Sequence, residues 1–364
     1  MKFTRRDFNR LMAVGLGAQF VPNLYAQAEA PKVRYCIVGL GRISMQHFMP
    51  AVKNSSKLSR VTALVSGHRD KAERMAAEYG VPTSSIYSYD NYDAIANNPE
   101  IDAVYIALPN SMHAEYSIRA AKAGKHVLCE KPMSTTVEDA RAMIAASKSA
   151  NKKLMIGYRC HYEPVHLRAQ QIIREGKMGK VQAIESAFGF NIGKGEWRTN
   201  RKLAGGGPLM DVGIYSLNTI RFLLNEDPSA ISAYSSVIDQ DGRFSEVEEN
   251  ISWTMRFPSG VMASCNSSYG ANMGGYYRVH CSNGVLQLDP AFNYDKLALR
   301  ADIYKEEPIT MASPDRDPYQ FLAEADHFAE CIQQNKESNT PGEEGLRDME
   351  LMTKIYDSCK QHSA

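Results

Sequence analysis

Two stretches carry residue types that could do chemistry. The first is Glu130-Lys131-Pro132, which follows the apolar run His126-Val127-Leu128-Cys129. That run reads as a short buried strand, so the tripeptide stands at a strand's carboxyl end. In an open α/β sheet, ligands bind outside those ends. The second stretch is Gly39-Leu40-Gly41-Arg42-Ile43-Ser44, between the strand pattern at 33–38 and a helical pattern through Val52. This is G-x-G-x-x-S, close to the dinucleotide fingerprint. Its first glycine permits a tight turn. Its second lets backbone approach a pyrophosphate, which then sits on a helix N-terminus. A bare G-x-G-x-x-S says little, and its place between strand and helix strengthens it. On a sheet carrying that turn, Lys131 is a candidate for chemistry; the alternative is a surface lysine at a turn.

The surrounding elements alternate. A strand at Val61–Val65 ends in Ser66-Gly67-His68-Arg69-Asp70-Lys71, where an NAD site usually places an acid for the ribose 2′-hydroxyl. Here Ser66, Gly67, Arg69 and Lys71 suit a 2′-phosphate instead, hence NADP. A solvated helix start is the plainer alternative. A strand at Asp102–Leu108 leads to Leu108-Pro109-Asn110, which should face the cofactor, and Ser111 could cap a helix from His113 to Ala123. A helix at Val137–Ala150 and a strand at Leu154–Gly157 complete an α/β pattern, read as a doubly wound parallel sheet, a Rossmann domain over residues 29–157. From 158 to 364 the pattern changes. Helices at 164–175 and 209–224 precede strand-like runs at 231–238, 247–257, 260–268, 276–282 and 284–289. Helices near 318–334 and 343–360 close the chain. This reads as a second α/β domain with a large, mainly antiparallel, open-faced sheet. A bare sheet face of that size usually meets a partner, so a homodimer or homotetramer is expected.

The chain has 364 residues, 44% hydrophobic and 23% charged, with net charge +1. Nothing in that balance points to nucleic acid or a membrane surface. Residues 1–28 differ. Arg5-Arg6, an apolar run from Leu11 to Val21 and Ala26-Gln27-Ala28 follow the order of a twin-arginine export signal, with a periplasmic destination and no anchor after cleavage. A cytosolic tail or an uncleaved anchor is the alternative. The seven cysteines show no CxxC spacing, and no metal site is expected.

Gly39-Leu40-Gly41, Glu130-Lys131-Pro132, Gly157-Tyr158-Arg159 and Gly205-Gly206-Gly207 followed by Asp211 together resemble the Gfo/Idh/MocA oxidoreductases. Tyr215, where many members carry His, resembles the glucose–fructose oxidoreductase branch, as does the leader. The resemblance implies a sugar substrate and a nicotinamide cofactor. It places Lys131 beside the nicotinamide and the reacting oxygen. Tyr215 would take the proton from the C1 hydroxyl, and Asp211 would orient the sugar. A tyrosine of pKa about 10 is a poor base at neutral pH unless a cation favours its phenolate, and Lys131 could supply that charge. Four residues apart, Asp211 and Tyr215 would share one helix face. Arg159 and Tyr162 would border the substrate. His113, Glu130, Arg159, Trp197, Arg198 and Tyr294 would join the cofactor site. Each has a plainer alternative: Asp211 a dipole partner, Tyr215 core packing, Arg198 a surface arginine, His113 structural. The branch also carries a proline-rich arm that clasps the cofactor. Cleavage after Ala28 would leave only Glu29-Ala30-Pro31-Lys32 before the first strand.

The expected activity is therefore oxidation of an aldose at C1 to its lactone, with NADP regenerated by reduction of a second sugar. An NADP-dependent aldose dehydrogenase, an anhydro-sugar reductase and a nucleotide-binding regulator are the alternatives.

Overall fold

A computed structural model describes residues 32–314 and 319–362. The leader expected over 1–28 lies outside the described residues. Among the described residues, no helix is long and apolar enough to cross a membrane.

Six strands form one parallel sheet: β1 Val33–Val38, β2 Ser59–Val65, β3 Ile86–Tyr87, β4 Ala103–Ile106, β5 His126–Glu130 and β6 Leu154–Gly157. Their order is β3-β2-β1-β4-β5-β6, so the winding reverses between β1 and β4. Both faces are buried, which is why β1 reads as apolar apart from Arg34, which pairs with Asp102 at 2.7 Å. Tyr35 and Ile37 face one layer, with Phe48, Met75, Phe321 and Phe328. Cys36 and Val38 face the other, with Tyr116, Met143 and Met352. Parallel sheets covered by helices on both faces show this pattern.

Eight strands form the second sheet: β7 Val181–Gly189, β8 Ala230–Ser236, β9 Asn250–Arg256, β10 Met262–Ser268, β11 Gly274–Cys281, β12 Gly284–Leu288, β13 Ala298–Ile303 and β14 Ile309–Ala312. Its order is β14-β13-β12-β11-β7-β10-β9-β8, and only the β7–β10 pairing is parallel. In β9, Ile251, Trp253 and Met255 point into the core, while Ser252, Thr254 and Arg256 are exposed. The open face is therefore real, and it is largely polar. On it Glu185 meets Arg278 at 3.3 Å and His280 at 3.4 Å.

The chain end returns to the first sheet. Helix Tyr319–Gln333 packs on its Tyr35 face, and the Tyr35 hydroxyl donates to Ala325 O at 3.1 Å. Just beyond it, Ile156 N donates to Thr340 O at 2.8 Å, so the β6 edge is covered.

Three local expectations change. Ser111 does not cap the helix His113–Lys122; it sits inside a 3-10 turn, Asn110–Met112, and no side chain caps that helix. The stretch 209–224 is not one α-helix. It opens as a π-turn, Leu209–Gly213, before Ile214–Leu224 continues. β13 and β14 complete the sheet beyond the expected strands; β13 alternates Leu299, Ala301 and Ile303 inward with Arg300 and Asp302 outward, the latter two 2.5 Å apart.

Candidate active site

The carboxyl ends of β1, β4, β5 and β6 supply Gly39, Leu108, Lys131 and Arg159. At the first, Gly39 takes φ +94°, and a Cβ there would lie 2.5 Å from Ala107 O. Only glycine fits that turn. Beside Gly41 the nearest atom a Cβ would meet is 4.0 Å away, so a ligand can approach its backbone. Ser44, in the place of the third glycine, donates its hydroxyl to Gly39 O at 2.6 Å and ties the turn. Leu40 is buried, Ile43 half-buried and Arg42 exposed at the helix start. This cradle fits the pyrophosphate of a dinucleotide.

At the end of β2, the Ser66 hydroxyl accepts from His68 N at 3.0 Å and Gly67 is exposed. Arg69 is already committed. It pairs with Glu73 at 2.8 Å and reaches Ile86 O at 3.3 Å. Lys71, half-buried in the first turn of the helix Arg69–Tyr79, is the next cation along the chain.

The loops after β4 and β5 are bound to each other. The His113 ring, 1% exposed, lies 2.8 Å from Pro132 O through Nδ1 and 2.9 Å from Leu108 O through Nε2. His113 therefore holds the two loops and does not itself face a ligand, which corrects its expected place among the cofactor contacts. Asn110 donates to Ala204 O at 2.8 Å, so it too is spent on the protein, leaving Leu108 and Pro109 at the rim. Glu130 accepts from the Tyr105 hydroxyl at 2.5 Å, and burial pushes its carboxyl up.

Lys131, Asp211 and Tyr215 do converge. Lys131 Nζ donates to Asp211 O at 2.7 Å and to Oδ1 at 3.2 Å, and stands 4.7 Å from the Tyr215 ring centroid. An ammonium has three donors, so one N–H is left for a reacting oxygen. Asp211 Oδ2 accepts from Arg198 Nε at 2.9 Å and from the Tyr269 hydroxyl at 3.0 Å. Burial works against the Asp211 charge, but Lys131 and Arg198 overcome it and hold the carboxyl down at about 2. Asp211 thus aims Lys131 before it can orient any sugar. Arg198 also lies 4.7 Å over the half-buried Trp197 ring.

The cation at the Tyr215 hydroxyl is Arg159, not Lys131. Arg159 Nε donates to Tyr215 Oη at 3.1 Å, while Lys131 sits over the ring face. Arg159 is 4% exposed and locked by Phe292 O at 2.5 Å, by Asn293 O at 3.1 Å and by the Gln320 side chain. Burial pushes the Tyr215 phenol well up, and the Arg159 charge pulls it back. Tyr294 stacks between the Arg159 guanidinium, 4.7 Å away, and His47 on the fingerprint helix, 4.1 Å between centroids.

One further expectation is corrected. Tyr162 does not border a substrate. It is 6% exposed and its hydroxyl faces Thr340 Oγ1 at 2.8 Å, inside the core. The run Gly205-Gly206-Gly207 is kept small by the protein's own packing. Side chains there would strike Thr135, the Tyr356 hydroxyl and Glu248, so the protein itself makes the close approach. Tyr269 and Gln320 were missed. Tyr269 follows a strand and Gln320 opens a helix, and no local pattern ties either to Lys131.

Comparison with known proteins agrees with this geometry. Residues 33–158 match the model of an oxidoreductase family with an NAD-binding Rossmann fold, and residues 166–287 match the GFO/IDH/MocA C-terminal domain. A D-xylose 1-dehydrogenase [NADP(+)] of Haloarcula marismortui is 33% identical over 91% of this chain and 92% of its own length. A 1,5-anhydro-D-fructose reductase of Ensifer adhaerens is 29% identical over 70% of this chain and 74% of its own. The crystal structure of an aldose-aldose oxidoreductase from Caulobacter crescentus, complexed with glycerol, superposes with TM-score 0.87 at 42% identity, covering 91% of this chain and 98% of that one. With the fingerprint turn on β1 and the lysine on β5 in their places, the chain belongs to the Gfo/Idh/MocA family of oxidoreductases.

Proposed function

We propose that this protein is an NADP-dependent sugar oxidoreductase. It oxidises an aldose at C1 to the lactone and regenerates NADP by reducing a second sugar. The observation that carries this is Lys131, with one donor free, over the ring of a tyrosine whose hydroxyl is bonded to a buried arginine. Lys131 holds the C1 oxygen, Tyr215 receives its proton, and Arg159 favours the phenolate character that lets the Tyr215 oxygen accept it. NADP, cradled by the Gly39–Ser44 turn, supplies the hydride acceptor. The similar xylose dehydrogenase is an NADP(+) enzyme and the similar Caulobacter protein an aldose-aldose oxidoreductase, which supports this cofactor and substrate class.

The test mixes two sugars with a catalytic amount of protein and no added nucleotide. Many turnovers per protein are expected, forming lactone and alditol together. One stoichiometric event, with further turnover only on adding NADP, would select an ordinary dehydrogenase.

The open face of the second sheet supports a homodimer or homotetramer. Sedimentation at micromolar concentration should give a dimer or larger, and a monomer refutes it. The twin-arginine leader supports a periplasmic enzyme. Protein recovered from the periplasm should begin at Glu29, and retention of the intact leader in the cytoplasm would count against export.

A further inference from the structure

The reaction leaves one proton to be moved from Tyr215. Tyr215 Oη receives a hydrogen bond from Arg159 and, among the described residues, meets no acceptor for its own proton. Below it lies a cavity lined by Lys131, Tyr158, Cys160, Tyr215, Asn218 and Thr219, with about 10 Å³ open to the centre of a water molecule. That is room for one water. Apart from Lys131 and Tyr215, these walls are nearly fully buried, so the cavity runs inward from the site. In the wall, the Tyr158 hydroxyl is buried and, among the described residues, meets no hydrogen-bond partner by distance and angle. A buried hydroxyl is ordinarily satisfied, by protein or by water.

Behind the cavity stands an acid pair. Asp348, fully buried, accepts from Asn218 Nδ2 at 2.9 Å and from Arg221 Nη1 at 2.5 Å. Glu344 shares Arg221 at 2.7 Å and Asn218 at 3.3 Å, and meets Arg347 at the surface at 2.6 Å. Burial, opposed by Arg221 and joined by the Glu344 charge, holds Asp348 up at about 6. Asn218, which lines the cavity together with Tyr158, is the side chain that holds Asp348, so the carboxylate stands directly behind this wall. Burial and then the Asp348 charge push the Tyr158 phenol up. The other titratable neighbour is His161, whose Nε2 lies 2.7 Å from Asn218 Oδ1 and which burial keeps neutral, down at about 4.

We propose that one water in this cavity, with Tyr158 and Asp348, carries the reaction's proton between Tyr215 and the protein interior. The inference rests on the sugar-oxidising reading. As the C1 hydrogen leaves as hydride, the C1 hydroxyl proton passes to Tyr215 oxygen. Tyr215's own proton passes to the water, a water proton to Tyr158 oxygen, and the Tyr158 hydroxyl proton to the Asp348 carboxylate. The sugar loses two electrons, NADP gains them, and Asp348 holds the proton. Reduction of a second sugar runs the same chain backwards. Tyr215 then never needs to wait as a free phenolate in a buried site.

The experiment loads the protein with NADP, adds an aldose and follows a single turnover by nicotinamide absorbance in H₂O and D₂O. Tyr158→Phe removes one hydroxyl and touches neither Lys131 nor Tyr215. Its rate should fall at least about tenfold with a larger solvent isotope effect, while NADP and aldose affinities stay unchanged. Asp348→Asn, of the same shape, should do likewise and lose an infrared carboxyl-protonation band that the wild type shows on turnover. If Tyr158→Phe does not fold, Asp348→Asn and the wild-type infrared band decide. Variants that match the wild type in rate and isotope effect, or a wild type with no carboxyl band, overturn the relay alone. A wild type that binds NADP and oxidises no aldose overturns the functional reading and the relay with it.

Discussion

Lys131→Met is expected to lower kcat for aldose oxidation about 10³-fold, or ~4 kcal/mol of barrier, with the protein folded and NADP still bound. The Lys131 side chain is only 12% exposed, so its charge acts in a poorly solvated site. Two of its three N–H groups are fixed by Asp211, which leaves the third aimed without further loss of freedom. That preorganised donor acts on an oxygen gaining charge in the transition state. Methionine keeps the stem's packing and removes the donor. Asp211 keeps Arg198 and Tyr269, so it is not left uncompensated, and the stability cost should stay near 1–3 kcal/mol. Single-turnover absorbance should show the slow chemistry, equilibrium titration an unchanged NADP affinity, and thermal unfolding a modest shift. Near wild-type kcat would remove Lys131 from the reaction.

The legible parts of this molecule are those with short periods. β1, the fingerprint turn and β5 could be read because strand, glycine spacing and helix lie within a few residues of each other. So could the mainly antiparallel second sheet, through alternation such as Ile251, Trp253 and Met255 inward against Ser252, Thr254 and Arg256 outward. What could not be read is set by contacts across the chain. Arg159 reaches Tyr215 because Gln320 and the 292–293 backbone, more than 130 residues away, lock its guanidinium. The charge on Tyr215 was therefore assigned to Lys131, the cation the family motif supplies. Tyr162 follows the same motif block as Arg159, yet Thr340 turns it into the core. The glycine run announces close approach but not by what; Tyr356 and Glu248 are distant in sequence. The π-turn that carries Asp211 has no residue pattern of its own.

Tyr215→Phe is expected to cost 10²–10⁴-fold in kcat, the usual range for losing a positioned acid or base, with affinities for NADP and aldose little changed. The ring would keep its contacts with Phe188 and Phe292, each 5.6 Å between centroids, so packing should survive. Only the hydroxyl and its bond to Arg159 go. Arg159 retains three other acceptors and stays satisfied. The pH dependence separates this loss from a structural one. Burial raises the Tyr215 phenol above the ordinary range, so the protonated form is favoured in the folded protein up to strongly alkaline pH. Oxidation needs that phenol to give up its own proton before or as it takes the sugar's, so the wild-type oxidation rate should climb as pH rises, and the reduction rate should fall. Tyr215→Phe should flatten both limbs while leaving nucleotide binding as it was. A variant that merely loosened the site would lower the rate and keep the slope. A flat wild-type profile with a fully active Tyr215→Phe would leave Arg159 stabilising a hydroxyl with no part in catalysis, and the proton acceptor would have to be sought elsewhere.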